Sequence, residues 1–138
     1  AIHRICVQQD IIREDVLGLL WRIEERSQEQ KPISFENALR ISRRAVTVAM
    51  RQLQKLGCVC YDNARWQLTE SGREEASLII RSHRLWETYL DHHFPQDTHQ
   101  LHQSAERLEH VTTPSMQSKL GVAEIDPHGS AVPPSLDN

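Results

Sequence analysis

Four side chains that can bind a metal recur at helical spacing in the run LHQSAERLEHV, and this spacing places strong limits on the fold. They are His102, Glu106, Glu109 and His110, at positions i, i+4, i+7 and i+8. Because an α-helix has about 3.6 residues per turn, these positions share one side of a helix. An exposed helix usually alternates such residues with Lys or Arg, and this side has only Arg107 nearby. The pattern predicts a helix whose charge is balanced from outside the chain.

A second pair of the same chemistry lies one predicted helix earlier. His83 and Glu87, in RSHRLWETYL, have the same i, i+4 spacing. Two such helices facing each other would form a divalent-cation site, and imidazole and carboxylate ligands without thiolate favour Mn²⁺ or Fe²⁺, with Zn²⁺ able to compete. The alternative is a pair of surface helices with ordinary His and Glu residues, which the joint occurrence disfavours. His128, in DPHG, could add an imidazole, but a turn with a solvent-exposed histidine is the favoured interpretation.

The acidic chain contains one cationic stretch. Its 138 residues are 38% hydrophobic, enough for one compact core or two small ones, and its formal net charge is −3. This charge argues against a nonspecific nucleic-acid coat protein. Between Asn37 and Tyr61, however, there is no acid, while five bases occur there: Arg40, Arg43, Arg44, Arg51 and Lys55. Such a stretch permits a local DNA-binding surface.

Hydrophobic spacing predicts a mainly helical N-terminal half. An amphipathic helix over 11–25 ends before Pro32. A short helix capped by Ser34 and a longer one capped by Ser42 follow, and a hairpin turns at 62–64. This order is typical of a winged helix-turn-helix. The exposed side of its third helix would carry the DNA contacts, namely Arg43, Arg44, Thr47 and Arg51, with Arg40 just before it. A solvated basic helix in a small helical domain is the alternative, and the missing acids favour DNA.

The C-terminal half also reads as helical. Thr69 can cap a long fourth helix that runs roughly to residue 90, and Pro95 ends that region. Asp97 can cap the metal-rich helix. Thr113, followed by Pro at the first helical position, begins a last short helix. From Gly121 onward, Gly, Pro and Ser predict an extended tail.

Cysteine use and hydropathy predict a cytoplasmic protein. Cys58 and Cys60 alternate on a predicted strand, where a disulfide between them is geometrically disfavoured, and the third cysteine makes the number odd. No apolar run approaches the length of a membrane span, and no signal peptide is evident. The chain begins with Ala1 rather than Met, which permits a processed terminus or a fragment. Without a Gly-rich phosphate loop or a nucleophile motif, we expect no enzyme activity.

Several segments together resemble the metal-dependent repressors typified by the diphtheria toxin repressor and the manganese transport regulator. They are RSHRLWETYL, LHQSAERLEH and DPHGSAVP, preceded by LTESGREEA, and the resemblance covers about 12–133. It implies an N-terminal winged helix-turn-helix DNA-binding domain, residues 1–72, and a helical metal-binding and dimerisation domain with an extended tail, residues 73–138. It also implies a homodimer whose recognition helices are fixed by metal to fit palindromic operator DNA.

By position, the resemblance also implies two metal sets. The primary set is Asp15, Glu106, Glu109 and His110, and the ancillary set is His83, Glu87 and His102. Glu106 and Asp15 stand where the iron-responsive branch has Cys and Met, so the ligands are similar to those of the manganese branch. Gly18 stands where that branch has a further glutamate, which leaves open whether two ions bind as they do there.

A related architecture is a second interpretation of the same residues. HRLWETYL is similar to domains fused behind the membrane part of manganese, zinc or iron ABC-transporter permeases. The short wing at 62–65 and the additional N-terminal residues AIHRICVQQD fit this alternative. The chain would then be a cytosolic tail that senses the transported ion, with DNA binding reduced or lost.

Overall fold

The part of the chain that the structure describes is mainly helical and contains a small two-stranded sheet. The computed structural model describes residues 2–26, 34–94, 97–120, 126–128 and 130–136. Its elements are α1 (Ile2–Glu25), α2 (Phe35–Leu39), α3 (Arg43–Lys55), β1 (Val59–Asp62), β2 (Arg65–Leu68), α4 (Glu70–His93), α5 (Thr98–Glu109) and α6 (Pro114–Lys119). They fall into two compact units, unit 1 (Ala1–Ala76) and unit 2 (Ser77–Asn138). None of the described helices has the length and apolar character needed to cross a bilayer.

Two helix bounds differ from the predicted ones. The first helix begins at Ile2 rather than near residue 11, because the residues before Ile11 contain no Gly or Pro that would interrupt helical hydrogen bonding. The fourth helix continues to His93, a few residues past its predicted end. The predicted breaks at Pro32 and Pro95 and the start of the tail at Gly121 lie outside the described residues.

Serine caps set the short turn between α2 and α3. The Ser34 hydroxyl accepts a hydrogen bond from the Asn37 amide at 3.3 Å, and the Ser42 hydroxyl accepts one from the Ala45 amide at 3.1 Å. Both caps are confirmed. Arg40 ends α2 in the left-handed conformation, with φ 54°, so α3 begins only three residues later. The chain therefore reverses direction within a few residues.

The core of unit 1 joins α1, α3 and the hairpin. Its buried apolar side chains include Val16, Leu17, Leu20, Val46, Ala49, Met50, Leu53, Val59 and Leu68. The two strands pair antiparallel, with Val59 opposite Leu68 at the base of the hairpin. Asn63 and Ala64 form its turn, with φ 50° and 60°, which is the geometry of a type I′ turn. The core occupies one side of α3 and leaves the other side exposed.

Unit 2 has its own core on the second half of α4, on α5 and on the C-terminal segment. Its buried apolar side chains include Ile80, Leu85, Leu90, Leu101, Ala105 and Val132. Helix α5 begins as predicted, because Asp97 accepts a hydrogen bond from the Gln100 amide at 2.9 Å. The polar side chains buried in this unit are the more unusual feature, and they define the candidate site.

Candidate metal centre

Helices α4 and α5 bring the ancillary set together. His83 and Glu87 lie one turn apart on α4, and the His83 Nε2 atom is 2.7 Å from the Glu87 Oε1 atom. His102, in the first half of α5, places its Nδ1 atom 3.0 Å from the same oxygen. One ligand atom from each of these residues lies within 4.8 Å of the other two. The structure thus brings two imidazoles to one carboxylate oxygen.

His83 also contacts the end of α5. Its Nδ1 atom is 2.5 Å from the Glu109 Oε2 atom, and the other carboxylate oxygen of Glu109 is 3.4 Å from the His110 Nε2 atom. Glu106 contributes at the rim, where its carboxylate is 3.3 Å from the His102 Nε2 atom. The six ligands predicted in unit 2 therefore form one continuous series of polar contacts, and His83 occupies its centre.

A tryptophan fixes the end of α5 relative to α4. The Trp86 indole donates a hydrogen bond of 2.6 Å to the Thr112 hydroxyl, which in turn donates one of 2.6 Å to the Leu108 carbonyl. Thr112 follows the pair Glu109 and His110 closely in sequence. These bonds hold the last turn of α5 beside the part of α4 that contains His83 and Glu87.

Burial makes the charges of this series costly unless they are paired. Glu87 is 1% exposed, His83 3% and Glu109 8%. Burial lowers the pKa of His83, but its hydrogen bonds to Glu109 and Glu87 outweigh burial and raise the pKa to about 9. Burial likewise raises the pKa of Glu87, but the hydrogen bond and charge of His83 outweigh it and lower the pKa to about 2. In the metal-free protein an imidazolium thus lies between two carboxylates.

These pKa shifts predict how the stability of the metal-free protein depends on pH. The raised pKa of His83 stabilises the fold fully below pH 6.5, and this stabilisation is lost as the pH rises through about 9. The lowered pKa of Glu87 acts at the other end: its stabilisation is present above pH 4.5 and is lost as the pH falls through about 2. We expect urea unfolding in the presence of chelator to show a falling free energy of unfolding between neutral pH and pH 10.

A histidine variant tests that assignment. His83→Gln should flatten the alkaline decrease, whereas His99→Gln, which changes an exposed histidine of α5, should leave it unchanged. A decrease of equal size in all three proteins would contradict the role assigned to His83.

His128 belongs to the cluster, although the sequence favoured a solvent-exposed turn residue. The residue is exposed, as expected, yet its Nε2 atom lies 3.2 Å from the Glu87 Oε2 atom. Glu87 therefore has imidazole partners on both carboxylate oxygens. The signal available in the sequence was the DPHG turn itself, but its distance along the chain from α4 concealed the contact.

The donor set of this cluster fits a divalent cation. The groups are imidazole nitrogens and carboxylate oxygens, a combination that suits Mn²⁺, Fe²⁺ and Zn²⁺. Two buried carboxylates already require a positive partner, which the imidazolium of His83 supplies in the metal-free protein. A cation bound between His83, Glu87 and His102 would replace that proton and neutralise the same charge.

The remaining candidate residues lie in unit 1. Asp15 is half-buried on α1. The predicted DNA-contacting residues are all exposed, namely Arg40, Arg43, Arg44, Thr47 and Arg51. The Thr47 hydroxyl donates a hydrogen bond of 3.0 Å to the Arg43 carbonyl, one turn earlier. The arginines therefore dominate the charge of the exposed side of α3.

The second half of the chain matches a known protein family. Residues 69–134 match the family model described as iron dependent repressor, metal binding and dimerisation domain. This range includes every predicted metal ligand except Asp15.

Several solved structures that are similar to the chain are described as metal-dependent regulators. The manganese regulator SloR has a TM-score of 0.79 and 28% identity, over 88% of this chain and 59% of that chain. A manganese-dependent transcriptional repressor in complex with manganese has a TM-score of 0.74 and 30% identity, over 91% of this chain and 59% of that chain. ScaR with bound Zn²⁺ has a TM-score of 0.73 and 28% identity, over 88% of this chain and 59% of that chain. The chain thus spans about three-fifths of the length of these regulators.

One curated relative is a transport protein by name. The probable metal transport system membrane protein of Chlamydia trachomatis serovar D is 35% identical over 85 residues, which are 59% of this chain and 19% of that protein. The chain spans about a fifth of the length of this relative.

Proposed function

Since the chain belongs to the diphtheria-toxin-repressor family of metal-dependent regulators, we propose that it is a transcriptional regulator of metal homeostasis, activated by a divalent cation. The observation that carries this proposal is the convergence of His83, Glu87 and His102 on one point in unit 2. Mn²⁺ or Fe²⁺ is the proposed physiological ion, and Zn²⁺ is a competitor. The protein acts in the cytoplasm without catalysing a reaction.

The metal would be held in two sets of residues. His83, Glu87 and His102 form the ancillary set, and His128 can join it through its contact with Glu87. The unit 2 part of the primary set consists of Glu106, Glu109 and His110. His83 contacts Glu87 with one ring nitrogen and Glu109 with the other, so each set influences the position of the other.

Unit 1 is the proposed DNA-binding domain. Its order of three helices and a hairpin is that of a winged helix-turn-helix, with α3 as the recognition helix. Arg43, Arg44 and Arg51 on its exposed side can reach phosphates and guanine edges. Arg40 precedes them in the turn between α2 and α3. Because residues 37–61 contain no Asp or Glu, this segment does not repel DNA phosphates.

Dimerisation would connect metal binding with DNA binding. The matched family is described as a metal-binding and dimerisation domain, which supports a homodimer built through unit 2. Two copies of α3 would then read the half-sites of a palindromic operator. Metal would favour the dimer geometry in which both helices fit successive major grooves, because a cation that binds one arrangement more tightly shifts the population toward it.

A DNA selection tests the proposal. Duplexes retained from a random-sequence pool in the presence of Mn²⁺ should share a palindrome, and their affinity should fall when the metal is chelated. Equal weak retention with and without Mn²⁺, and no common sequence, would reject DNA-dependent regulation.

Arginines on α3 should determine the salt dependence of that affinity. Arg44→Ala is expected to reduce the slope of log K against log salt by about 1 for each phosphate that the side chain neutralises in the wild type, as measured by fluorescence anisotropy. Arg44→Lys is the matched control, since it keeps the charge and should keep the slope. A slope in Arg44→Ala identical to that of the wild type would remove Arg44 from the interface.

The relative named as a transport protein favours a second candidate function. The region of similarity is about a fifth of that protein's length, as expected for a regulatory domain attached to a larger membrane protein. On this account the same metal cluster senses the transported ion at the cytoplasmic face of a metal ABC transporter. Mn²⁺ binding with no DNA selected from the pool under any salt condition would favour this candidate over the first.

A further inference from the structure

A groove lies between the first half of α1 and helix α3, within unit 1. Its volume is about 270 Å³, and its apolar lining consists of Ile12 on α1 and Ala45, Val48 and Ala49 on α3. At about 3.6 residues per turn, the three α3 residues share one side of the helix, between its buried side and its arginine-rich side. The groove is therefore separate from the metal centre and directly beside the surface proposed to contact DNA.

Solvent reaches the apolar lining of this groove. Val48 is 37% exposed, and Ile12 and Ala45 are half-buried. Covering such a surface with the apolar part of a ligand is favourable, because it removes apolar area from water. Concave, mostly apolar surfaces with a few polar groups are typical of sites for small organic molecules.

The polar groups of the groove have hydrogen-bond donors available for a ligand. The side-chain carbonyl oxygen of Gln52 accepts a hydrogen bond of 2.7 Å from the Arg13 guanidinium, which leaves the amide of Gln52 as a donor. The Ser42 hydroxyl oxygen accepts a hydrogen bond of 3.1 Å from the Ala45 amide and keeps its own proton to donate. Arg44 adds a guanidinium, which only donates. These groups suit a ligand that accepts hydrogen bonds.

The charge around the groove also favours an anion. The described residues that line it include Arg44 but no Asp or Glu. Asp10 lies close by in sequence on α1, but its carboxylate is paired with Arg13. Helix α3 begins at Arg43, so Arg44 lies in its first turn, where the helix dipole favours a negative charge. A ligand with an apolar body and a carboxylate complements both parts of this surface.

We propose that the groove between α1 and α3 binds a small amphipathic carboxylate, whose apolar part covers Ile12 and Val48 and whose carboxylate meets Arg44. Arg44 also lies on the side of α3 that is proposed to contact DNA. The bound carboxylate therefore competes with DNA phosphates for the same guanidinium, and the ligand is an antagonist of DNA binding. This antagonism rests on the proposed function, whereas binding in the groove does not.

Octanoate and octylammonium test the ligand chemistry, because they share an apolar chain and carry opposite charges. Calorimetry on the full chain in the presence of chelator should show that octanoate binds. Octylammonium should bind at least about tenfold more weakly, since it cannot form a charge-assisted hydrogen bond with Arg44. No binding of octanoate, or equal affinities for the two compounds, would overturn the proposal.

A matched pair of glutamate variants tests the location of the site. Val48→Glu places a carboxylate in the groove and should lower the affinity for octanoate by at least about tenfold, because like charges repel. Leu56→Glu adds the same charge to unit 1 at a residue that is 65% exposed and does not line the groove, so it should keep the affinity of the wild type. Equal losses in both variants would overturn the proposal.

Arg44→Gln keeps the proposal falsifiable if Val48→Glu does not fold. It removes the positive charge at an exposed position and should lower the affinity for octanoate by about tenfold. An affinity equal to that of the wild type would remove Arg44 from the site and overturn the proposal.

A competition measurement separates this inference from the proposed function. Saturating octanoate should weaken the binding of a duplex selected in Mn²⁺ and leave the affinity for Mn²⁺ unchanged, and acetate at the same concentration, which lacks the apolar chain, should do neither. Octanoate that binds without weakening DNA binding would overturn the antagonism. A protein that binds DNA but not octanoate would defeat this inference alone, whereas one that binds octanoate but selects no DNA would defeat the proposed function and leave the groove as a ligand site.

Discussion

Glu87→Gln is expected to lower the affinity of the protein for Mn²⁺ by at least about 100-fold. One carboxylate oxygen of Glu87 meets His83 and His102, and the other meets His128. Glutamine removes the negative charge and replaces one of the two oxygens with an amide nitrogen, which cannot bind a cation. Calorimetry with Mn²⁺ measures the effect directly.

Asp91→Asn is the matched control for this variant. It removes the same charge from the same helix at an exposed position, and the Mn²⁺ affinity should remain close to that of the wild type. If both variants lost affinity equally, the effect would be one of overall charge, and the assignment of Glu87 as a ligand would be wrong.

Gly72→Ala is expected to destabilise unit 1 by roughly 3 kcal/mol or more. A Cβ atom added at Gly72 would lie 1.8 Å from the Cys58 carbonyl oxygen. The neighbour is backbone, and its oxygen accepts a hydrogen bond of 3.0 Å from the Thr69 amide. The Thr69 hydroxyl accepts one of 3.0 Å from the Gly72 amide. Neither the backbone at Cys58 nor the backbone at Gly72 can move without breaking hydrogen bonds at the start of α4. The clash therefore cannot relax locally.

Gly57→Ala provides the comparison for Gly72→Ala. Gly57 has φ +75°, but an added Cβ would meet nothing within 4 Å. The expected cost is therefore only the backbone strain, about 1 kcal/mol. Urea unfolding followed by circular dichroism should rank Gly72→Ala well below Gly57→Ala in stability. The reverse order would contradict the close approach of α4 to Cys58.

Helix starts could be predicted from the sequence because their signals are local. Ser34, Ser42, Asp97 and Thr113 each cap a helix as predicted, and every cap accepts from an amide three residues later. The hairpin turn was predicted for the same reason, since its residues are adjacent. Such features require no knowledge of the tertiary fold.

Contacts within one helix were also accessible to prediction. The i, i+4 pairs His83 with Glu87 and His102 with Glu106 are contacts in the structure. Helical periodicity alone brings such side chains within reach.

Among the contacts between elements, the joint occurrence of the two metal-rich helices indicated only that α4 and α5 face each other, as the contact of His102 with Glu87 shows. The second ring nitrogen of His83 meets Glu109, and His128 reaches Glu87 from beyond α6. Helical periodicity orders residues along one helix but says nothing about which rotamer faces a neighbouring element. The role of His83 at the centre of the cluster therefore follows only from the packing of α4 against the end of α5, which Trp86 and Thr112 hold in place.

The central claim is that imidazoles and carboxylates of unit 2 hold a divalent cation. Anomalous diffraction at the manganese edge, from crystals grown with Mn²⁺, tests it most directly. The account predicts an anomalous peak within bonding distance of His83, Glu87 and His102. A map with no such peak, in which His83 still bridges Glu87 and Glu109, would contradict the account.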